Sequence, residues 1–231
     1  MVNKYVVRMP KPKKQKQGIV ASQPLVMVSG PFGSGMGDLA ARLAETLQVK
    51  YYNPHKLEEL ASDKERHERV WQELQAAEGD FFDYWLGHIY DQPGITPSEH
   101  LARLTTAIHE IAMEGGVVAG ICPHIVVPGD NLVRIQVKAD AKFCANRLAK
   151  KHGIDEGEAK KVFLELEAQR QRLMQTMFED VMSHTIQFDL VLDAEKVSAK
   201  KMLKQSLELL EKRRLIPKDF IHRIPEILLQ L

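Results

Sequence analysis

The sequence predicts an α/β protein in three layers, a parallel β-sheet of about five strands flanked by helices. Short apolar runs without polar alternation, such as "PLVMVSG", are the mark of strands buried on both faces. Longer segments between them space their leucines at helical intervals, so strands and helices alternate as crossover connections require. Directly after the first run comes a turn with four glycines in eight residues, Gly30, Gly33, Gly35 and Gly37, opening a helix.

Each element follows from a local pattern. After the first strand, Leu39, Leu43 and Leu47 recur four apart with Ala40 and Ala44 beside them, an amphipathic helix. "KYYN", Lys50 to Asn53, is a second short strand candidate. Residues 55–111 read as largely helical, an insertion broken where Pro93, Gly94 and Pro97 interrupt the pattern. Strand signals return in "GVVAGI" from Gly116 and "NLVRIQVKA" from Asn131, each bounded by Gly, Pro or Asp. A helix follows from Ala141 to His152. Another opens at Asp155, where "DEGE" sets Glu158 three residues after a capping aspartate. Its apolar positions are Val162, Leu166, Leu173 and Met177, with Arg170 and Arg172 assigned to the charged face. "FDLVLDA", Phe188 to Ala194, is the last strand, and Leu203, Leu207 and Leu210 line a closing helix.

Composition excludes several classes. The 231 residues are 44% apolar and 27% charged, enough for one large domain. A net charge of +1 argues neither for a nucleic-acid partner nor for an acidic one. Cys122 and Cys144 have no metal-type spacing and suit a reducing cytosol, and the nine histidines form no ligand motif. No apolar run has the length of a membrane span, and the start of the chain lacks the apolar core of a secretion signal, so a cytoplasmic protein is expected. Residues 1–23 carry Lys4, Arg8, Lys11, Lys13, Lys14 and Lys16 without an acid, a basic flexible arm whose nucleic-acid contacts would be weak. The domain proper spans 24–212, with a tail at 213–231. The aromatic stretch "FFDYW", Phe81 to Trp85, suits packing of the helical insertion or stacking on a base.

The chemistry concentrates in the glycine turn. Free backbone N–H groups and the positive end of the helix dipole converge at such a turn, which favours a phosphate or another anion. Gly30 and Gly35 have the spacing of a phosphate loop, in which a lysine and a hydroxyl should follow. Here those positions hold Met36, which has no cation, and Gly37, which has no hydroxyl. Asp38 could hold magnesium through water, but an acid in the first helical turn is already favoured by the dipole.

"VSGPFGSGMGDLAARLAETLQVKYYN" resembles the opening of the cytidylate-kinase-like family of P-loop nucleoside monophosphate kinases, in which a serine, a Y/F-G-S-G-G segment and a "fyD" segment recur. "IHEIAMEGGVVAGICPHIV" is similar to the family's helix, strand and "vGRcA" stretch. "LEAQRQRLM" resembles its lid segment and "FDLVLDA" its closing strand, so the similarity runs over residues 24–212 with the lid at 153–183. The resemblance implies a P-loop kinase-like fold that uses ATP and Mg2+ to phosphorylate a CMP-like nucleotide. It implies that Gly30, Gly33, Ser34, Gly35, Met36 and Gly37 form the cofactor loop, that Arg170 and Arg172 are catalytic, and that Asn53 faces the substrate; by their charge alone Asp38 is a further catalytic candidate and Arg147, upstream of the lid, a further substrate-binding one. The family's pattern is broken at Gly37, where a basic residue is expected. It is broken also at Ile121 in place of arginine, at Asn53 in place of aspartate, and at Glu167 in place of the lid aspartate.

Two function classes therefore stand side by side. One is an ATP-dependent nucleoside monophosphate kinase. The other is a catalytically silent relative that binds a nucleotide, another phosphate-bearing small molecule or a protein partner, homo-oligomers included.

Overall fold

The computed structural model describes residues 23–54, 114–120, 130–178 and 187–224, with positions 56, 57, 104, 107, 108, 111 and 112 between them. The basic arm up to residue 22, nearly all of the expected helical insertion, "FFDYW", Ile121, Cys122, the end of the expected lid beyond residue 178 and the last residues of the tail lie outside the described residues.

Five strands form one parallel sheet: β1 (Leu25–Ser29), β2 (Tyr51–Tyr52), β3 (Gly116–Ala119), β4 (Leu132–Lys138) and β5 (Leu190–Asp193). Their spatial order is β2-β3-β1-β4-β5, with every neighbouring pair parallel. The central position of β1 explains its unbroken apolar run, since Leu25, Val26, Met27 and Val28 have no exposed surface. Because all strands run one way, their carboxyl ends and the loops that follow share one edge of the sheet.

The helices with described bounds are α1 (Met36–Leu47), α2 (Ala141–His152), α3 (Glu156–Phe178), α4 (Ala199–Lys212) and the short α5 (Phe220–Arg223). The period-2 alternation of the strands divides the core. Val26, Val28, Val117, Val133, Ile135 and Val137 pack against Leu39 and Leu43 of α1 and Leu203, Leu207 and Leu210 of α4. A second cluster joins Cys144, Ala145 and Leu148 of α2 to Ala159 and Phe163 of α3, with Phe32 of the glycine turn against it. Thus α2 and α3 form a pair that docks onto the loop itself.

The caps follow the sequence. Asp140 accepts a hydrogen bond from Phe143 N at 2.6 Å and opens α2, which ends at Gly153 in the left-handed region. Asp155 accepts from Gly157 N at 2.8 Å and Glu158 N at 3.0 Å, the expected cap of α3. Helix α3 buries Leu166 as expected, and its Leu173 and Met177 side chains lie outside the described residues. Its buried stripe is Ala159, Phe163, Leu166 and Met174, while Val162 is only half-buried. Arg170 sits between Leu166 and Met174 on that stripe, four residues from each, so it does not share a solvated face with Arg172.

Candidate phosphate site at the carboxyl edge

The site grows out of the end of β1. Gly30 lies so close to β4 that a β-carbon there would stand 2.6 Å from the Val137 carbonyl oxygen. The chain then wraps round, with Ser34 N donating to the Pro31 carbonyl at 3.2 Å and both Gly33 (φ 74°) and Gly35 (φ 88°) in the left-handed region. Gly35 is the N-cap residue of α1 and offers no side-chain cap. The first-turn amides of α1 therefore have no intrahelical acceptor and converge on the loop mouth. Ser34 is buried, and its Oγ accepts from Met36 N at 3.4 Å.

The residues that replace the expected lysine and hydroxyl have different surroundings. The Met36 side chain is partly buried against the main core. Gly37 stands in open space, since a β-carbon there would meet only the Tyr51 phenol oxygen, at 3.9 Å. Nothing local in the sequence marks Tyr51; it enters because the alternate residue of β2 faces α1. Burial first, and the Asp38 carboxylate second, push its phenol up from the ordinary range.

A cation reaches the loop from another element. Arg147 of α2 places Nη2 and Cζ 3.2 and 3.3 Å from where a Gly35 β-carbon would be. The same Nη2 donates to Asp38 Oδ2 at 2.6 Å, joining the first turn of α1 to α2. Both side chains keep roughly half their surface, 41% for Arg147 and 51% for Asp38. Lys150 and Lys151, in the last turn of α2, are exposed.

The two arginines of α3 diverge. Arg170 donates to both Glu167 carboxylate oxygens, from Nε at 3.0 and 2.9 Å and again from Nη2. This pair is 26% and 17% exposed, whereas Arg172 is exposed. Glu167 also bears on the loop's backing: burial chiefly, then Glu167, pushes the Cys144 thiol up to about 12, and Asp140 and Glu195 act in the same direction. Asn53 Oδ1 accepts from Lys56 N at 2.9 Å. Asn-Pro is a helix start, with the amide as cap and Pro54 in the first turn, and this dipeptide was readable as such in the sequence.

No group of three or more His, Cys, Asp or Glu residues that could hold a metal occurs among the described residues. Among them, no helix is long and apolar enough to cross a membrane.

A parallel sheet in this order, with a glycine loop joining its central strand to a helix N-terminus, defines a P-loop kinase-like fold. The chain belongs to the cytidylate kinase-like family, whose model matches residues 25–196. The structure of an uncharacterized protein from Eubacterium ventriosum ATCC 27560 has a TM-score of 0.61 at 19% identity, covering 83% of this chain and 99% of that one. Shikimate kinase from Acinetobacter baumannii in complex with shikimate gives 0.45 at 12% identity, over 85% and 97%. YorR from Bacillus subtilis in complex with phosphorylated GDP gives 0.42 at 15%, over 84% and 99%. No curated protein matches the chain at a significant level.

Proposed function

We propose that this protein binds the phosphates of ATP in the Gly30–Gly37 loop and transfers the terminal phosphoryl group to a CMP-like nucleoside monophosphate. The observation that carries the reading is the loop geometry: two left-handed glycines turn the chain at the carboxyl end of the central strand, and the second, Gly35, opens α1 without a capping side chain of its own. Such a turn aims N–H groups and a positive dipole at one point, which suits an anion. Membership of the cytidylate kinase-like family supports a nucleoside monophosphate as the acceptor.

Phosphoryl transfer requires positioning and positive charge more than covalent participation by the protein. The main chain of Gly33, Ser34, Gly35, Met36 and Gly37 would cradle the phosphate oxygens, and Gly30 lets the loop lie against β4. Magnesium would arrive with the nucleotide, and Asp38 stands in the first turn of α1, beside the loop. Arg172, exposed on the lid helix, would approach the transferred group, and Arg170 would join it on release from Glu167. Asn53 would contribute to substrate contacts. The ligand is thus a phosphate-bearing small molecule, and the cytoplasm, where ATP is available, is the expected compartment.

A second reading has its own support. Met36 packs on the core, Gly37 has no hydroxyl, and Arg170 is held by a carboxylate. A loop so furnished suits a nucleotide-binding scaffold without turnover. The discriminating experiment is a coupled assay with ATP and CMP, dCMP or UMP, with and without Mg2+, beside a thermal-shift panel. Turnover with CMP that depends on Mg2+ supports the kinase. A thermal shift without turnover supports the scaffold, and neither response with any nucleotide rejects the phosphate site.

A further inference from the structure

We infer that Arg147 is the phosphate-facing cation of this loop, delivered from α2 in place of the missing lysine, with Asp38 as the counterion that an incoming phosphate displaces. The inference rests on the nucleotide reading above and adds to it which side chain meets the charge and what opposes binding.

Three observations lead there. First, the loop position where a lysine would stand is Met36, whose side chain is turned against the core. Second, the guanidinium of Arg147 lies on Gly35, with Nη2, Cζ and Nε all within 3.6 Å of that residue's missing β-carbon. Any side chain at position 35 would push it away, so the glycine serves the approach of Arg147 as well as the turn. Third, the Nη2 that would face an anion above the loop is already bonded to Asp38 at 2.6 Å. Asp38 belongs to the first turn of α1, where a carboxylate is held by the same dipole that would hold a phosphate.

These arrangements make a competition. A carboxylate and a phosphate draw on one guanidinium and one helix terminus, and the two anions repel each other across the mouth. An ion pair with half its surface in water is held weakly. A phosphate brings more charge and more acceptor oxygens, so exchanging Asp38 for phosphate leaves the guanidinium fully bonded. The free protein keeps its cation aligned over Gly35, and the ligand takes it over.

Calorimetric titration of the full chain with MgATP and with inorganic tripolyphosphate tests this. Arg147→Gln should weaken both ligands roughly ten- to a hundredfold, the loss expected of a charge-assisted contact, with an unchanged melting temperature. Arg147→Lys should recover part of the affinity. Asp38→Asn should tighten both ligands about two- to fivefold. Glu45→Gln, which removes one ion-pair partner of Arg42 on α1, serves as the control and should change neither. Loss of ATP affinity in Arg147→Gln with tripolyphosphate unaffected would put the guanidinium against the base and overturn the inference. Weaker binding in Asp38→Asn would make Asp38 a metal-side ligand and overturn the competition. Wild-type binding with Arg147→Gln unchanged rejects Arg147 alone, whereas a wild type that binds neither ligand rejects the nucleotide reading itself.

Discussion

The backbone carbonyl oxygen of Cys144 stands 2.5 Å from where a β-carbon on Gly33 would be, so the glycine turn of β1 and the first turns of α2 are fitted to each other through main chain. Backbone cannot step aside as a flexible side chain can, and Gly33 also has φ 74°. Gly33→Ala should therefore cost more than about 2 kcal/mol, the left-handed penalty plus the clash. A melting curve close to that of the wild type would show that α2 yields.

Gly37 makes the opposite case. It lies within α1, and a β-carbon there meets only the Tyr51 hydroxyl at ordinary contact distance. Gly37→Ala should stabilise the fold by about 0.5–1 kcal/mol through helix propensity and a stiffer unfolded chain. Denaturant melts of Gly33→Ala and Gly37→Ala should move in opposite directions.

Met36→Lys would restore a cation to the loop at the expense of packing. Its side chain covers part of the core, so the lysine should lower stability by about 1 kcal/mol while its ammonium reaches the mouth along an apolar stem. Tighter tripolyphosphate binding together with a lower melting temperature is the expected outcome. An unaltered melting temperature would mean that the methionine contributes nothing to the core.

Arg170 and Arg172 should separate cleanly. Removing Arg170 leaves Glu167, 17% exposed, without its partner, and should cost about 1–3 kcal/mol. Arg172→Ala, at an exposed position, should stay within about 0.5 kcal/mol. Turnover by Arg170 variants must accordingly be read beside their melting curves, while a loss in Arg172→Ala reports on the chemistry directly.

The thiol of Cys144 should resist alkylation. It is fully buried, and a value of about 12 keeps it protonated at neutral pH, so iodoacetamide at pH 8 should label it only in denaturant. The sign for stability follows: the folded state favours the neutral thiol, so this contribution is complete below the unfolded value of 9.0 and fades as pH rises toward 12. Cys144→Ala should flatten the alkaline limb of a stability curve. Rapid labelling of the native protein at Cys144, mapped by mass spectrometry, would contradict this burial.

The order of strands and helices, the glycine loop and the caps at Asp140 and Asp155 were determined by the sequence alone, because each depends on neighbours a few residues apart: apolar period, a permitted φ, a carboxylate beside free amides. Asn53 belongs with them, since Asn-Pro carries its capping role locally. Tertiary structure decided which charges attend the loop. Arg147 meets an aspartate 109 residues away, Tyr51 comes beside Gly37 through strand pairing, and Arg170 falls on the buried stripe of α3 between Leu166 and Met174. Hydrogen-bonded turns and caps are closed within a few residues of chain, whereas the position of a cation over an anion site is fixed only when separate helices pack against one sheet.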